Sequence, residues 1–275
     1  MLVGLCILIA VLIVLYLLAV MPRLGRNPDR PKFEGWYYAH RGLHHNKKGV
    51  PENSLKAFRD AVEKGYGIEL DVQITKDRVP VVFHDYNLHR ICGVDKKISD
   101  LNYEELKQYR LLNTEERIPT FREALDCVDG KVPLIIELKI PWDPKDTCKA
   151  AEKELANYKG LYCIESFNPL GLGWYKKHHP EIIRGQLSTD FVKEQIEGSR
   201  VQHFILKNLL FNFYTKPDFI AYQHKYKKGL SFTICRKIYK AWSIAWTVKS
   251  KSEMDECKGY FDQIIFEGFK PDIHE

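Results

Sequence analysis

At 275 residues, 45% hydrophobic and 28% charged, the chain is large enough to bury a full core and too apolar to be extensively disordered. Its formal net charge of +6 favours anionic surfaces and phosphate-bearing molecules, but no nucleic-acid-reading motif accompanies it, so no nucleic-acid partner is expected. Seven scattered cysteines, with no C-x-x-C pair and no zinc-like spacing, read as reduced thiols rather than a disulfide framework.

The chain opens on Leu2 to Val20, a run without charge or proline that is long enough for the hydrocarbon core of a bilayer. No basic stretch precedes it and no A-x-A site follows, so a transmembrane anchor over residues 1–22 is expected rather than a cleaved signal peptide. Arg23, Arg26, Arg30 and Lys32 follow the span directly, and the positive-inside rule then places the remainder in the cytoplasm, as a single-pass membrane protein. Residues 23–34, with two prolines, read as a linker to one domain over 35–275.

In that domain, short β-rich runs alternate with amphipathic stretches, the pattern of an α/β protein built on a parallel sheet. Strands are expected at Trp36–His40, Gly67–Ile74, Val79–His84, Pro133–Lys139, Leu161–Phe167, Ile182–Leu187, Asp218–Tyr222, Ser243–Val248 and Gln263–Glu267. Asn53 or Ser54 opens a helix that Gly65 closes, Thr120 and Glu123 form a capping box, and Asn168-Pro169 opens a further helix. Only four residues separate Ile74 from Val79, too few for a parallel crossover, so these two strands must pair antiparallel. Eight strands remain, which gives a (β/α)8 barrel with an inserted β-hairpin. A turn centred on Lys76-Asp77 would set His84 opposite Glu69.

Several strand ends carry charge where apolar residues would be expected. His40-Arg41-Gly42 ends the first strand. In Glu69-Leu70-Asp71 strand alternation puts both carboxylates on one face, and Glu137 and Lys139 share a face in the same way. Three carboxylates gathered at one mouth repel each other unless a cation lies between them, and oxygen ligands suit Mg²⁺ or Ca²⁺. His40 and His84 could then exchange protons at a phosphodiester whose charge the metal, Arg41 and Lys139 balance. Asp85 reads as a turn or cap residue, and His44 and His45 read as solvated beside Lys47 and Lys48. The dense apolar cluster from Phe204 to Phe213 is expected to be barrel packing, with a membrane-facing lip as its rival.

Taken in order, His40-Arg41-Gly42, Pro51-Glu52-Asn53-Ser54, Glu69-Leu70-Asp71-Val72, Thr75-Lys76-Asp77, Val81-Val82-Phe83-His84-Asp85 and Ile136-Glu137-Leu138-Lys139 resemble glycerophosphodiester phosphodiesterases. The likeness continues more faintly through Glu165-Ser166-Phe167-Asn168-Pro169 and Ala245-Trp246-Thr247-Val248, and does not cover the apolar span. It implies a TIM barrel of the phospholipase C-like phosphodiesterase type, with metal at Glu69, Asp71 and Glu137 and acid/base chemistry at His40 and His84. It further implies phosphate contacts from Arg41 and Lys139, a supporting Glu52, and a substrate wall of Phe167 and Trp246. The implied reaction releases an alcohol and glycerol 3-phosphate. The last strand departs from the family in Phe266-Glu267, and no role is carried to Glu267. Rival readings are lysophospholipase D-type action, a phosphatidylinositol-type phospholipase C, and a catalytically silent membrane-tethered module.

Overall fold

The computed structural model describes residues 2–140 and 143–272, so the outermost residue of the expected anchor and the last three of the expected domain lie outside the described residues. Eight parallel strands close on themselves: β1 (Tyr38–His40), β2 (Gly67–Ile74), β4 (Leu134–Leu138), β5 (Tyr162–Ser166), β6 (Arg184–Ser188), β7 (Phe219–Gln223), β8 (Trp242–Val248) and β9 (Gln263–Phe266). The last joins the first, Tyr38 facing Ile265, which leaves the barrel without a free edge. All nine expected strands form, with every end within two residues of its expected bound.

β3 (Pro80–Val82) pairs antiparallel with β2. Its register is one residue removed from that expected, with Val72 facing Val82, so His84 does not fall opposite Glu69. The cause is the turn: Thr75 N donates to Val79 O and Arg78 takes a left-handed φ of 65°, a longer loop than one centred on Lys76-Asp77. The insertion is also more than a hairpin. It continues through α3 (His89–Cys92) and α4 (Tyr103–Leu106), and Val81, Phe83, Leu88, Ile91, Leu106 and Ile118 give it an apolar core of its own.

Helices surround the barrel: α2 (Leu55–Glu63), α5 (Phe121–Val128), α6 (Pro144–Leu155), α7 (Pro169–His178), α8 (Arg200–Lys207), α9 (Asn212–Thr215), α10 (Leu230–Lys237) and α11 (Lys251–Cys257). Their starts follow the cap chemistry. Ser54, not Asn53, accepts from Ala57 N at the head of α2; Thr120 and Glu123 complete a capping box on α5; Asn168 caps α7 with proline next to it. Strand alternation splits the apolar residues between two layers. Ile68, Leu70, Leu134 and Ile136 face the helices, while Tyr38, Ile135, Cys163, Phe219 and Trp242 fill the barrel interior.

α1 (Leu2–Val20) has a mean hydropathy of 3.2 and is long and apolar enough to cross a membrane. Only its last turns touch the barrel. The stretch read as a linker is seated under the barrel: Arg23 pairs with Asp218 at 3.0 Å, and Phe33 is buried in the interior cluster beside Trp242. The seven cysteines are all free.

Candidate active site

β1, β2 and β4 end at one mouth, and their inward positions carry the charges. Glu69, Asp71 and Glu137 are buried, and one oxygen from each lies within 4.8 Å of the others. The register explains the gathering: Asp71 sits beside Glu137 on the neighbouring strand, and His40 beside Glu69. Lys139 lies 2.8 Å from Glu137 and 3.2 Å from Asp71, and the Arg41 guanidinium 3.4 Å from Asp71. The turn after β1 aims the Arg41 backbone N–H at Glu69 at 3.1 Å. That turn needs Gly42, whose φ is 79° and whose missing Cβ would lie 2.9 Å from Ala57 and Phe58. Asn53, also left-handed with φ 55°, donates from its side chain to Asp71 at 2.8 Å.

The charges do not balance among themselves. Burial and the neighbouring Asp71, Glu165 and Glu137 push the Glu69 carboxyl well above the usual range. Burial pushes Glu137 up to about 7 despite Lys139 beside it. Asp71 behaves oppositely: burial would raise it, but Lys139, His84 and Arg41 hold it below the ordinary carboxylate range. The site resists carrying three negative charges by itself, and a hard cation among those oxygens would remove the conflict. By the chemistry of this donor set, Glu69, Asp71 and Glu137 fit a metal ion.

Two imidazoles flank the cluster, each with a carboxylate on Nδ1. His40 Nδ1 lies 2.7 Å from Glu267, leaving Nε2 3.9 Å from Glu69. His84 Nδ1 lies 2.5 Å from Asp85, which in turn binds Arg90. Glu52 joins the two sides by accepting from Arg41 at 2.6 Å and from Arg90 at 2.8 and 2.7 Å. Burial and Arg41 push His40 down to about 4, against the opposing pull of Glu267. Burial and Lys139 likewise lower His84.

Four of these residues carry no site role in the reading of the sequence. Asp85 is more than a turn residue, since it orients His84. Glu267 meets His40, and the inward position of Glu165 on β5, beside Glu137, follows from the same alternation that found Glu137. Glu165 is buried, with Oε2 lacking a hydrogen-bond partner. His44 is not solvated: it is half-buried, both ring nitrogens are shielded, and it lies within 4.8 Å of His40 and Glu267. The reason is the turn at Gly42, which folds the loop back toward β9, whereas His45 is exposed as expected.

Beyond the charges a cavity of about 1260 Å³ opens, with His84, Glu137, Lys139 and Phe167 at one end and Val201, Ile205 and Phe211 farther out. Phe167 lies on this cavity; Trp246 stands edge-on to it at 5.5 Å rather than on the cavity wall. The apolar cluster around α8 is only partly barrel packing. Leu209 is buried, but Phe204 is exposed, because α8 lies across the mouth: Ser188 at the top of β6 donates to Leu206 O at 2.9 Å, and Phe213 is exposed on α9, away from the mouth.

The model of the glycerophosphoryl diester phosphodiesterase family matches residues 40–266. The chain belongs to this family. A glycerophosphodiester phosphodiesterase of Caldanaerobacter subterraneus is 31% identical over 82% of this chain and 91% of its own length. Among solved structures, an Oleispira antarctica phosphodiesterase in complex with the product sn-glycerol-3-phosphate superposes with a TM-score of 0.69 at 25% identity, covering 86% of this chain and 94% of that one. A glycerophosphodiester phosphodiesterase from Parabacteroides distasonis gives 0.65 at 28% identity, over 84% and 92%. A lysophospholipase D of Rattus norvegicus is 33% identical over a shorter stretch, 47% of this chain and 44% of that protein. The eight-stranded barrel is therefore the family fold, and the apolar α1 precedes the matched residues.

Proposed function

We propose that this chain hydrolyses glycerophosphodiesters to an alcohol and glycerol 3-phosphate. Three buried acids lie between two carboxylate-oriented imidazoles at one barrel mouth, and that arrangement carries the reading. Glu69, Asp71 and Glu137 would hold one divalent cation, Mg²⁺ or Ca²⁺. When bound, it would draw charge from the non-bridging oxygens of the diester. Lys139 and Arg41 neutralise the same oxygens, and Glu52 fixes the Arg41 guanidinium. His40, held neutral by its burial, is suited to take a proton from the attacking oxygen. His84 has Asp85 on Nδ1 and is favoured as imidazolium once a diester anion docks beside it, so it can give a proton to the departing alcohol oxygen. One P–O bond forms to the attacking water oxygen as the bond to the alcohol oxygen breaks, leaving His40 protonated and His84 neutral, and proton exchange with solvent restores both for the next turnover. Phe167, with Trp246 behind it, closes the substrate side.

A second reading has a specific observation in its favour. The cavity next to His84 is bounded by Leu170, Val201, Ile205 and Phe211, more apolar surface than a small soluble alcohol needs, and an acyl-bearing alcohol half would fill it. That substrate would make the reaction of the lysophospholipase D type. The architecture proposed is an anchor over 1–22, a connecting segment over 23–34 and a catalytic domain over 35–275, anchored by α1 on the cytoplasmic side of a membrane as Arg23, Arg26, Arg30 and Lys32 direct. Product analysis with glycerophosphocholine and lysophosphatidylcholine side by side tests both readings. Glycerol 3-phosphate from the first supports glycerophosphodiester hydrolysis, release only from the acylated substrate selects the second reading, and a cyclic phosphate end product overturns both.

A further inference from the structure

The direction in which α1 crosses the barrel fixes which face of the domain meets the membrane. Three contacts mark the levels. The Tyr16 hydroxyl lies 2.7 Å from Ser231, in the first turn of α10, and Ser231 in turn contacts Asn208 at the end of α8. That is the level of the mouth, because α10 begins above the C-terminal end of β7 and α8 lies over the C-terminal end of β6. Four residues on, Val20 O accepts from Asn212 and Cys235, partway down. Arg23 then meets Pro217 O and Asp218, directly before β7 begins, at the opposite end of the barrel. Going backward along the helix, the chain rises toward the mouth, and Leu2 to Leu15 leave the body on the catalytic side, exposed throughout.

Length sharpens this geometry. The exposed part of α1 rises about 20 Å, short of the roughly 30 Å hydrocarbon core, and the whole helix from Leu2 to Val20 is needed to approach it. The turn at Tyr16 must therefore also enter the near leaflet, and it is bound to the rim of the mouth.

The rim is built for that. Val192 is 63% exposed, Val201 68%, Phe204 61% and Leu230 66%, all on the β6–α8 connection, on α8 or at the head of α10. Lys193, Arg200, Lys225 and Lys228 are exposed between them, a basic complement to anionic headgroups. Exposed apolar side chains also occur at the other end, Phe213 and Ile238 among them, so the direction of α1, not the number of such residues, selects the face.

We infer that the catalytic mouth lies on the bilayer, with Val192, Val201, Phe204 and Leu230 seated in the leaflet that α1 crosses. The active site then draws its diesters from the membrane surface rather than from bulk solvent. This rests on α1 acting as an anchor, and the experiment separates the two claims. The full chain, with Cys6, Cys92 and Cys127 changed to serine, is reconstituted in phosphatidylcholine–phosphatidylglycerol vesicles. Nitroxide labels are placed in turn at Leu8→Cys, Phe204→Cys, Leu230→Cys and Lys159→Cys, and power-saturation EPR compares collision with oxygen and with a water-soluble nickel chelate. Lys159 is exposed just before β5, at the far end of the barrel. The expected result is an oxygen-to-nickel ratio several-fold higher at Phe204 and Leu230 than at Lys159, approaching that at Leu8. A water-like ratio at Phe204 and Leu230 with a lipid-like Leu8 overturns the docked mouth while leaving the anchor intact. Water-like values at all four positions overturn the anchor as well. Low collision with both agents at Phe204 would mean that protein, such as a second copy of this chain, covers the rim, and this too overturns the proposal. None of the readouts depends on turnover, so a failure of the phosphodiesterase reading would remain distinguishable.

Discussion

The two halves of the barrel mouth do different work. From β1 to β4, inward positions at the strand ends carry acids and bases, held by short contacts between adjacent strands: His40 beside Glu69, Asp71 beside Glu137. From β5 to β8 the mouth carries Phe167, Phe191 and Trp246, and its shape comes from the β6–α8 connection and α8 rather than from strand ends. Charges that must meet within hydrogen-bonding distance are placed on strands, whose spacing the ladder fixes. Apolar surface, which is not directional, can be left to loops.

Breaking the charged half should have the largest effect. Removal of divalent cations with a chelator should abolish turnover, with Mg²⁺ or Ca²⁺ restoring it, and Asp71→Asn should behave as the chelated protein does even when metal is supplied. Turnover insensitive to exhaustive chelation would remove the reason for the acid cluster. Next in size are His40→Ala and His84→Ala, each expected to lower kcat by about 10²–10⁴-fold. Steady-state kinetics on folded protein check this, and an unchanged kcat in either variant would reject the proton-transfer assignment. Glu267→Gln and Asp85→Asn keep the rings but lose their orienting partners, so each should cost less than removing the imidazole it serves.

Breaking the apolar half should act on binding more than on chemistry. Phe167→Ala is expected to raise KM by about tenfold, near 1.4 kcal/mol, with kcat little changed. A fall in kcat without a change in KM would move Phe167 to the charged side of the comparison. The smallest effect concerns the network that supports the charges. Burial alone would raise the Glu52 carboxyl, but hydrogen bonds from Arg90 and the charge of Arg41 hold it well below its ordinary range. A depressed folded-state pKa contributes stability above the unfolded value of about 4.3 that is lost as pH falls toward the folded one. Arg90→Ala should therefore destabilise by about 1–3 kcal/mol at neutral pH in denaturant unfolding, and that deficit should shrink on acidification below about pH 4. A deficit independent of pH would show that Arg90 acts by packing alone.

Much of this was legible without coordinates, for reasons that act over a few residues. Strand alternation puts Glu69 with Asp71 and Glu137 with Lys139; a four-residue gap forces Ile74 and Val79 into an antiparallel arm; cap residues mark where α2, α5 and α7 begin. An uncharged run the length of a bilayer core announces α1. Other features exist only because the barrel closes. Glu267 reaches His40 across 227 positions, since β9 comes to lie beside β1, and no local pattern encodes that meeting. His44 turns inward for the same reason, toward an acid at the far end of the chain. The one-residue shift of the hairpin register rests on a left-handed Arg78, a backbone choice that residue type alone does not force. Likewise, composition makes α1 apolar, but packing against α9 and α10 decides that it leaves the barrel at the mouth. Local sequence sets periodicity and hydrophobicity, whereas direction and long-range partnership follow from which surfaces bury each other.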